Sequence, residues 1–271
     1  MFEEVNQIKT FRIILVLISD ILLTIFIVFF VFTNNWLDLI EILTLGLINV
    51  TLIVNLGLIG INGSIIFLRN EIRPKDVGLI KSKILPAIII IAIIWGLTQL
   101  FDLIIMLLQI QTIQVNPSWE INGILPYLGD FASQIFGNAL YEEFIFRGFL
   151  ISQFYILFRN KVKNSKITLL LSLFVSQGLF ALKHIPIRLL EGVMGVDLIL
   201  NLLLLLGLGL VFAIIYLRTN NLFITIGIHS LYNVSLSLFN VEGVFGLLIL
   251  TIILLIIWPK IEQKFLFELK K

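Results

Sequence analysis

Cysteine is absent from the 271 residues, histidine occurs twice, proline six times, and charged residues make up only 13% of the chain. The first absence excludes disulfides and thiolate metal sites, and it leaves the redox compartment open. Sparse charge, beside a hydrophobic share of 59% and a mean hydropathy of +1.09, excludes a soluble globular domain of average make-up. Too little polar surface remains to clothe one. What is left is an all-α fold class: a polytopic membrane helical bundle, with residues 1–271 forming a single transmembrane domain. The lipid bilayer is therefore the first expected partner. The net charge of +2 reflects basic loops and not a nucleic-acid surface.

Crossing a bilayer takes about 20 apolar residues. About eight runs qualify, near 11–33, 38–68, 85–109, 127–158, 167–184, 196–217, 222–239 and 243–258. The second and fourth are too long for one straight crossing and must tilt, break or extend beyond the lipid. Pro74, Pro86, Pro117, Pro126, Pro186 and Pro259 all fall at or outside the expected ends, where proline starts or stops helices. The amino-terminal run is longer than a signal peptide's and ends in Val31-Phe32-Thr33, with no small-residue cleavage site, so it is expected to be retained.

Lysine and arginine accumulate in cytoplasmic loops. Arg69, Arg73, Lys75, Lys81 and Lys83 lie between the second and third runs, Arg159, Lys161, Lys163 and Lys166 between the fourth and fifth, and Lys260, Lys264, Lys270 and Lys271 after the last. The loops near 34–37, 110–126 and 240–242 hold neither residue type. This alternation puts both termini in the cytoplasm. Lys183 and Arg188, on an expected outer loop, break the pattern.

The chemistry begins at Tyr141-Glu142-Glu143-Phe144-Ile145-Phe146-Arg147-Gly148. On a helix, Glu143 and Arg147 share a face four residues apart, with the acid on the favourable amino-terminal side. Glu142 is rotated about 100° away and has no local cation, which suits it to carrying protons. The fifth run places Phe180 and His184 at the same spacing, just before Pro186. The seventh does so for His229 and Asn233, within Gly227-Ile228-His229-Ser230-Leu231-Tyr232-Asn233. Taken singly, each set has a packing alternative: a helix-joining ion pair, an interfacial histidine, a hydrogen bond between helices. Taken together they spend every histidine of the chain beside paired carboxylates at membrane depth, which reads as a functional site. Asp20, Asp102, Asp130, Asn55, Asn62 and Gln177 are expected to be helix-to-helix contacts or interfacial groups rather than catalysts, and Gly57, Gly60 and Gly63 to permit close helix approach.

These residues resemble the CAAX prenyl protease and bacteriocin-processing family of intramembrane proteases (CPBP, also called Abi). Its pattern of Glu-Glu-x-x-x-Arg, Phe-x-x-x-His and His-x-x-x-Asn or Asp is met, in order and on separate apolar runs, by Glu142, Glu143 and Arg147, by Phe180 and His184, and by His229 and Asn233. The similarity spans roughly residues 127–239. It implies an intramembrane endopeptidase in which Glu142 and His184 activate a water molecule, His229 and Asn233 stabilise the oxyanion, and Glu143, Arg147 and Phe180 support the site. It further implies a membrane-associated peptide or protein substrate and residence in the prokaryotic cytoplasmic membrane. Prenylated-cysteine cleavage, peptide or bacteriocin maturation and self-immunity all remain open as roles.

Cofactor chemistry stays open too. Two histidines and a glutamate can make a three-ligand zinc site, but the His-Glu-x-x-His helix of soluble zinc proteases is missing, and the expectation is no structural metal. A proton-coupled transporter and a non-catalytic immunity or scaffold protein are the alternatives. One difficulty is depth. At helical rise, Glu142 and His184 lie roughly 25 Å from the cytoplasmic ends of their runs, and His229 only about 10 Å from the start of its own.

Overall fold

The computed structural model describes residues 5–34, 36–68, 71–108, 113–121, 123–240 and 245–268. Arg69, Lys270 and Lys271 of the charge pattern lie outside the described residues. The chain is all-α, and among the described residues the one β feature is an isolated bridge between Val115 and Phe239. In chain order the helices are α1 (Thr10–Val31), α2 (Asp38–Leu43), α3 (Val50–Phe67), α4 (Ile84–Leu108), α5 (Ser118–Ile121), α6 (124–159), α7 (Ser165–Lys183), α8 (Ile185–Leu190), α9 (Gly195–Thr219), α10 (Leu222–Asn233) and α11 (Phe245–Glu268). Among the described residues, five stretches are long and apolar enough to cross a membrane: α1, α3, α4 with its leading turn, α7 running on through α8, and α9.

The bundle is organised as lipid demands. Large apolar side chains such as Phe11, Leu22, Leu85, Ile88, Leu203 and Ile214 face outward, while Asp20, Asn62, Glu142, Glu143, Arg147 and Gln177 are buried inside. One core packs α1, α3 and α6 around Ile66, Tyr141 and Phe149. A second packs α4, α9, α10 and α11 around Ile94, Phe212 and Trp258.

The expected second span breaks. Leu45 and Gly46 take left-handed backbone angles and stop α2, and Asn49 caps α3 by accepting from Leu52 N–H at 3.0 Å. Gly46 is required there for a second reason: a Cβ would lie 2.7 Å from Pro126 Cγ. The fourth span extends as one long helix, with wide π turns over Gln134–Asn138 and Glu143–Leu150. Such turns re-aim side chains inside an α-helix and concentrate at functional sites; here they flank Glu142.

Two proline expectations need correction. Pro186 begins α8 directly after α7 rather than ending the helical run, because a proline in the first turn loses no hydrogen bond. Pro259 lies inside α11 instead of beyond it. The glycine expectation also fails: nothing lies within 4 Å of a Cβ built at Gly57 or Gly60, and Gly63 would meet only its own helix's Phe67. Side chains crowd Gly227, Gly246 and Gly209, while backbone approaches most closely at Gly129, against the Gly46 carbonyl, and at Gly148, against the Val77 carbonyl.

That last contact resolves the depth conflict. The basic 71–83 segment does not stay at the end of α6 but turns inward, burying Ile72 and Val77. The turn between α9 and α10 rests on it, with Asn221 Nδ2 donating to the Lys83 carbonyl at 3.0 Å and Leu222 packed against Gly78. Val77 meets α6 at Gly148, only about 10 Å along the helix from Glu142. A helix that starts at this level needs about 10 Å of rise to bring His229 level with Glu142. The seventh span is accordingly short, ending at Asn233 rather than near 239.

Candidate active site

Glu142, His184 and His229 converge from α6, the α7–α8 junction and α10. Glu142 Oε1 lies 3.5 Å from His184 Nε2, and Oε2 lies 3.6 Å from His229 Nε2. Both separations exceed direct hydrogen-bond length and suit groups that share a bridging hydrogen-bonded atom.

The far nitrogen of each ring settles which way the ring faces. His184 Nδ1 is 2.8 Å from the Phe180 carbonyl, which can only accept, so Nδ1 carries a proton and the neutral ring turns a lone pair on Nε2 towards Glu142. The helical spacing that places Phe180 and His184 on one face also stacks their rings edge-on at 4.8 Å. His229 Nδ1 is 2.7 Å from Glu143 Oε1 and its ring lies against Phe212 with centroids 4.3 Å apart.

The expected Glu143–Arg147 pair forms, with Nη1 3.1 Å from Oε1 and both side chains fully buried. Glu143 thus has two partners, Arg147 along its own helix and His229 across to α10. Arg147 reaches further: Nη2 donates to the Gly209 carbonyl at 3.3 Å, and the guanidinium stands 4.3 Å from the Phe180 ring centroid. Gly209 admits this approach, since a Cβ there would be 3.0 Å from Phe180 and 3.4 Å from Arg147 Nη2.

Asn233 is placed differently from its two neighbours in the motifs. It is exposed to the same cavity as the histidines, but its amide donates to Gln134 Oε1 at 2.9 Å rather than reaching Glu142. The cavity has a volume of about 570 Å³ and runs between α1, α3, α6, α7, α8, α9 and α10, with Glu142, His184 and His229 in its wall.

Sequence reasoning missed Lys183. Assigned there to an outer loop, it is the last residue of α7, with 9% of its side chain exposed and its ammonium 3.9 Å from Glu142 Oε1 and 3.6 Å from Asp20 Oδ1. The statement that Glu142 has no local cation is therefore true only of its own helix. Arg188, the other residue of that supposed loop, lines the cavity from α8. A charge adjoining one of only two histidines was the available signal.

Zinc chemistry would draw on Glu142, His184 and His229. The two rings face different oxygens of the carboxylate, and among the described residues no three His, Asp or Glu side chains are gathered to hold a cation.

Residues 124–235 match the family model described as type II CAAX prenyl endopeptidase, Rce1-like. The matched stretch runs from the start of α6 past the end of α10, so all three motifs fall within it, and it agrees with the resemblance drawn from them. The apolar helices support an integral membrane protein, and the matched stretch, which is less than half of the chain, is similar to CAAX-type proteases. No curated protein and no solved structure matches the chain.

Proposed function

We propose that the chain is an intramembrane endopeptidase that hydrolyses a peptide bond with water activated by Glu142 and His184. The observation that carries this reading is the carboxylate of Glu142 set between two imidazole Nε2 atoms on the wall of a cavity among the helices. Water held at Glu142 Oε1 and His184 Nε2 loses a proton to this pair as its oxygen attacks the substrate carbonyl. The tetrahedral intermediate collapses as the C–N bond breaks, and the same proton passes to the leaving amine. His229, with Glu143 at Nδ1, serves the oxyanion by donating from Nε2 when doubly protonated, and Asn233 serves it after exchanging Gln134 for the substrate oxygen.

The cavity also suits a peptide. Polar side chains such as Arg188, Asn201 and Asn233 line it among apolar ones such as Ile187 and Leu204, a mixture that suits an extended backbone with apolar side chains. The substrate is a membrane-associated peptide or protein, with a CAAX-like C-terminus as the first class to test. The basic segments at 71–83 and 159–166 share one end of the bundle with the amino-terminal stretch, where Gln153 binds the backbone of Asn6 and Ile8. Following the distribution of lysine and arginine, that end is cytoplasmic.

Purified protein in lipid nanodiscs, incubated with membrane-anchored peptides that include prenylated-cysteine C-termini, is expected to give fragments with new termini detectable by mass spectrometry. Chelator treatment is expected to leave the yield unchanged. Proton-coupled flux without cleavage in reconstituted vesicles would instead support a transporter, and neither activity would support a silent partner protein.

A further inference from the structure

An ammonium at membrane depth is costly unless paired, and Lys183 lies between two carboxylates, 3.6 Å from Asp20 Oδ1 and 3.9 Å from Glu142 Oε1. Its ammonium also stands 4.3 Å from the centre of the Tyr141 ring. Asp20 is fixed in turn. The Tyr141 hydroxyl donates to Asp20 Oδ1 at 2.5 Å, and Asn62 Nδ2 donates to the Tyr141 oxygen at 2.8 Å. All three are buried, Asn62 and Tyr141 completely. A polar chain therefore runs from Asn62 on α3 through Tyr141 on α6 and Asp20 on α1 to Lys183 on α7. It ends at the Glu142 oxygen that faces His184. Asp20 and Asn62 lie outside the stretch that matches the family.

Arg147, also near Glu142, is committed elsewhere, since it pairs with Glu143 and donates to the Gly209 carbonyl. His184, whose Nδ1 proton is held by the Phe180 carbonyl, offers Glu142 a lone pair and no charge when neutral. A carboxylate among apolar helices must have its charge compensated if it is to act as a base. Resting on the proteolytic reading above, we infer that Lys183 is a positioning residue: it holds Glu142 as a carboxylate with Oε1 turned to His184, and Asn62, Tyr141 and Asp20 hold Lys183.

The bland role for Lys183 is neutralising Asp20, and a double variant separates the two. Lys183→Met is expected to lower kcat about 100-fold with KM changed by less than about threefold, and to lower the melting temperature. Asp20→Asn combined with Lys183→Met removes both charges of the pair; it is expected to regain the melting temperature but not kcat. Lys183→Arg, which keeps the charge, is expected to regain part of kcat. Recovery of kcat in the double variant, or none with Lys183→Arg, would overturn the assignment. Should Lys183→Met fail to fold, the charge-balanced double variant still decides.

A readout that needs no cleavage completes the test. In infrared spectra of protein carrying labelled glutamate, with the Glu142 band identified by its loss in Glu142→Gln, the double variant is expected to convert Glu142 from carboxylate to protonated carboxyl. An unchanged carboxylate band would refute the role of Lys183. Conversion of the band in a protein whose wild type cleaves nothing would keep the role of Lys183 and reject the proteolytic reading.

Discussion

Glu142→Gln is expected to lower kcat for peptide cleavage by about 1000-fold or more, within the range of general base catalysis, while the protein keeps its fold. The amide has nearly the same shape as the carboxylate but cannot take a proton from water, and it turns one of the two acceptor positions into a donor. His184 Nε2, when the ring is neutral, presents a lone pair to this side chain, so the amide can bond to it. The substitution also removes a buried charge, so the melting temperature should hold or rise. Michaelis–Menten kinetics in nanodiscs measure the loss, and thermal unfolding of the same preparation separates it from misfolding. Activity within tenfold of wild type would move the base to another residue.

Arg147→Met should be among the most destabilising single changes in the chain, costing about 3–5 kcal/mol as expected when one partner of a buried ion pair is removed. Both partners are fully buried, and Glu143 would be left with His229 alone. The guanidinium also joins α6 to α9 through the Gly209 carbonyl and packs on Phe180 of α7, so its loss loosens three helices together. Arg147→Lys is not expected to restore stability, because an ammonium cannot reproduce the planar fork that meets the carboxylate, the carbonyl and the aromatic face at once. Glu143→Gln added to Arg147→Met should recover most of the stability. Cleavage would stay impaired, since the carboxylate that orients His229 is then gone. Denaturant unfolding in bicelles measures the first effect and the assay above the second.

How much of this was legible in the sequence depended on the range of the interaction. Pairings within one helix were readable from spacing alone: Glu143 with Arg147, Phe180 with His184. The convergence of Glu142 with His184 and His229 was implied by motif order and is visible as distance only in the folded chain. Lys183 was misread as a loop residue because of its charge, although the expected run reached residue 184; α7 carries it to Asp20 and Glu142. The depth conflict arose from the assumption that basic loops stop at helix ends; the 71–83 segment instead reaches along the bundle as far as Gly148. Glycines at helical spacing on α3 suggested close packing that occurs at Gly129, Gly148 and Gly209 instead. A glycine pattern says that a helix can be approached, and only the tertiary fold says by what. Asn233 shows the converse: its motif position is met, and its amide is bonded to Gln134, which no motif includes.

Oxygen-18 water tests the role of Glu142 in peptide hydrolysis most directly. Wild-type protein in nanodiscs, incubated in labelled water under single-turnover conditions, should release an amino-terminal fragment whose new carboxylate carries one labelled oxygen, and Glu142→Gln should release none. A fragment without label, or labelled fragment formed equally by Glu142→Gln, would contradict hydrolysis by water activated at Glu142.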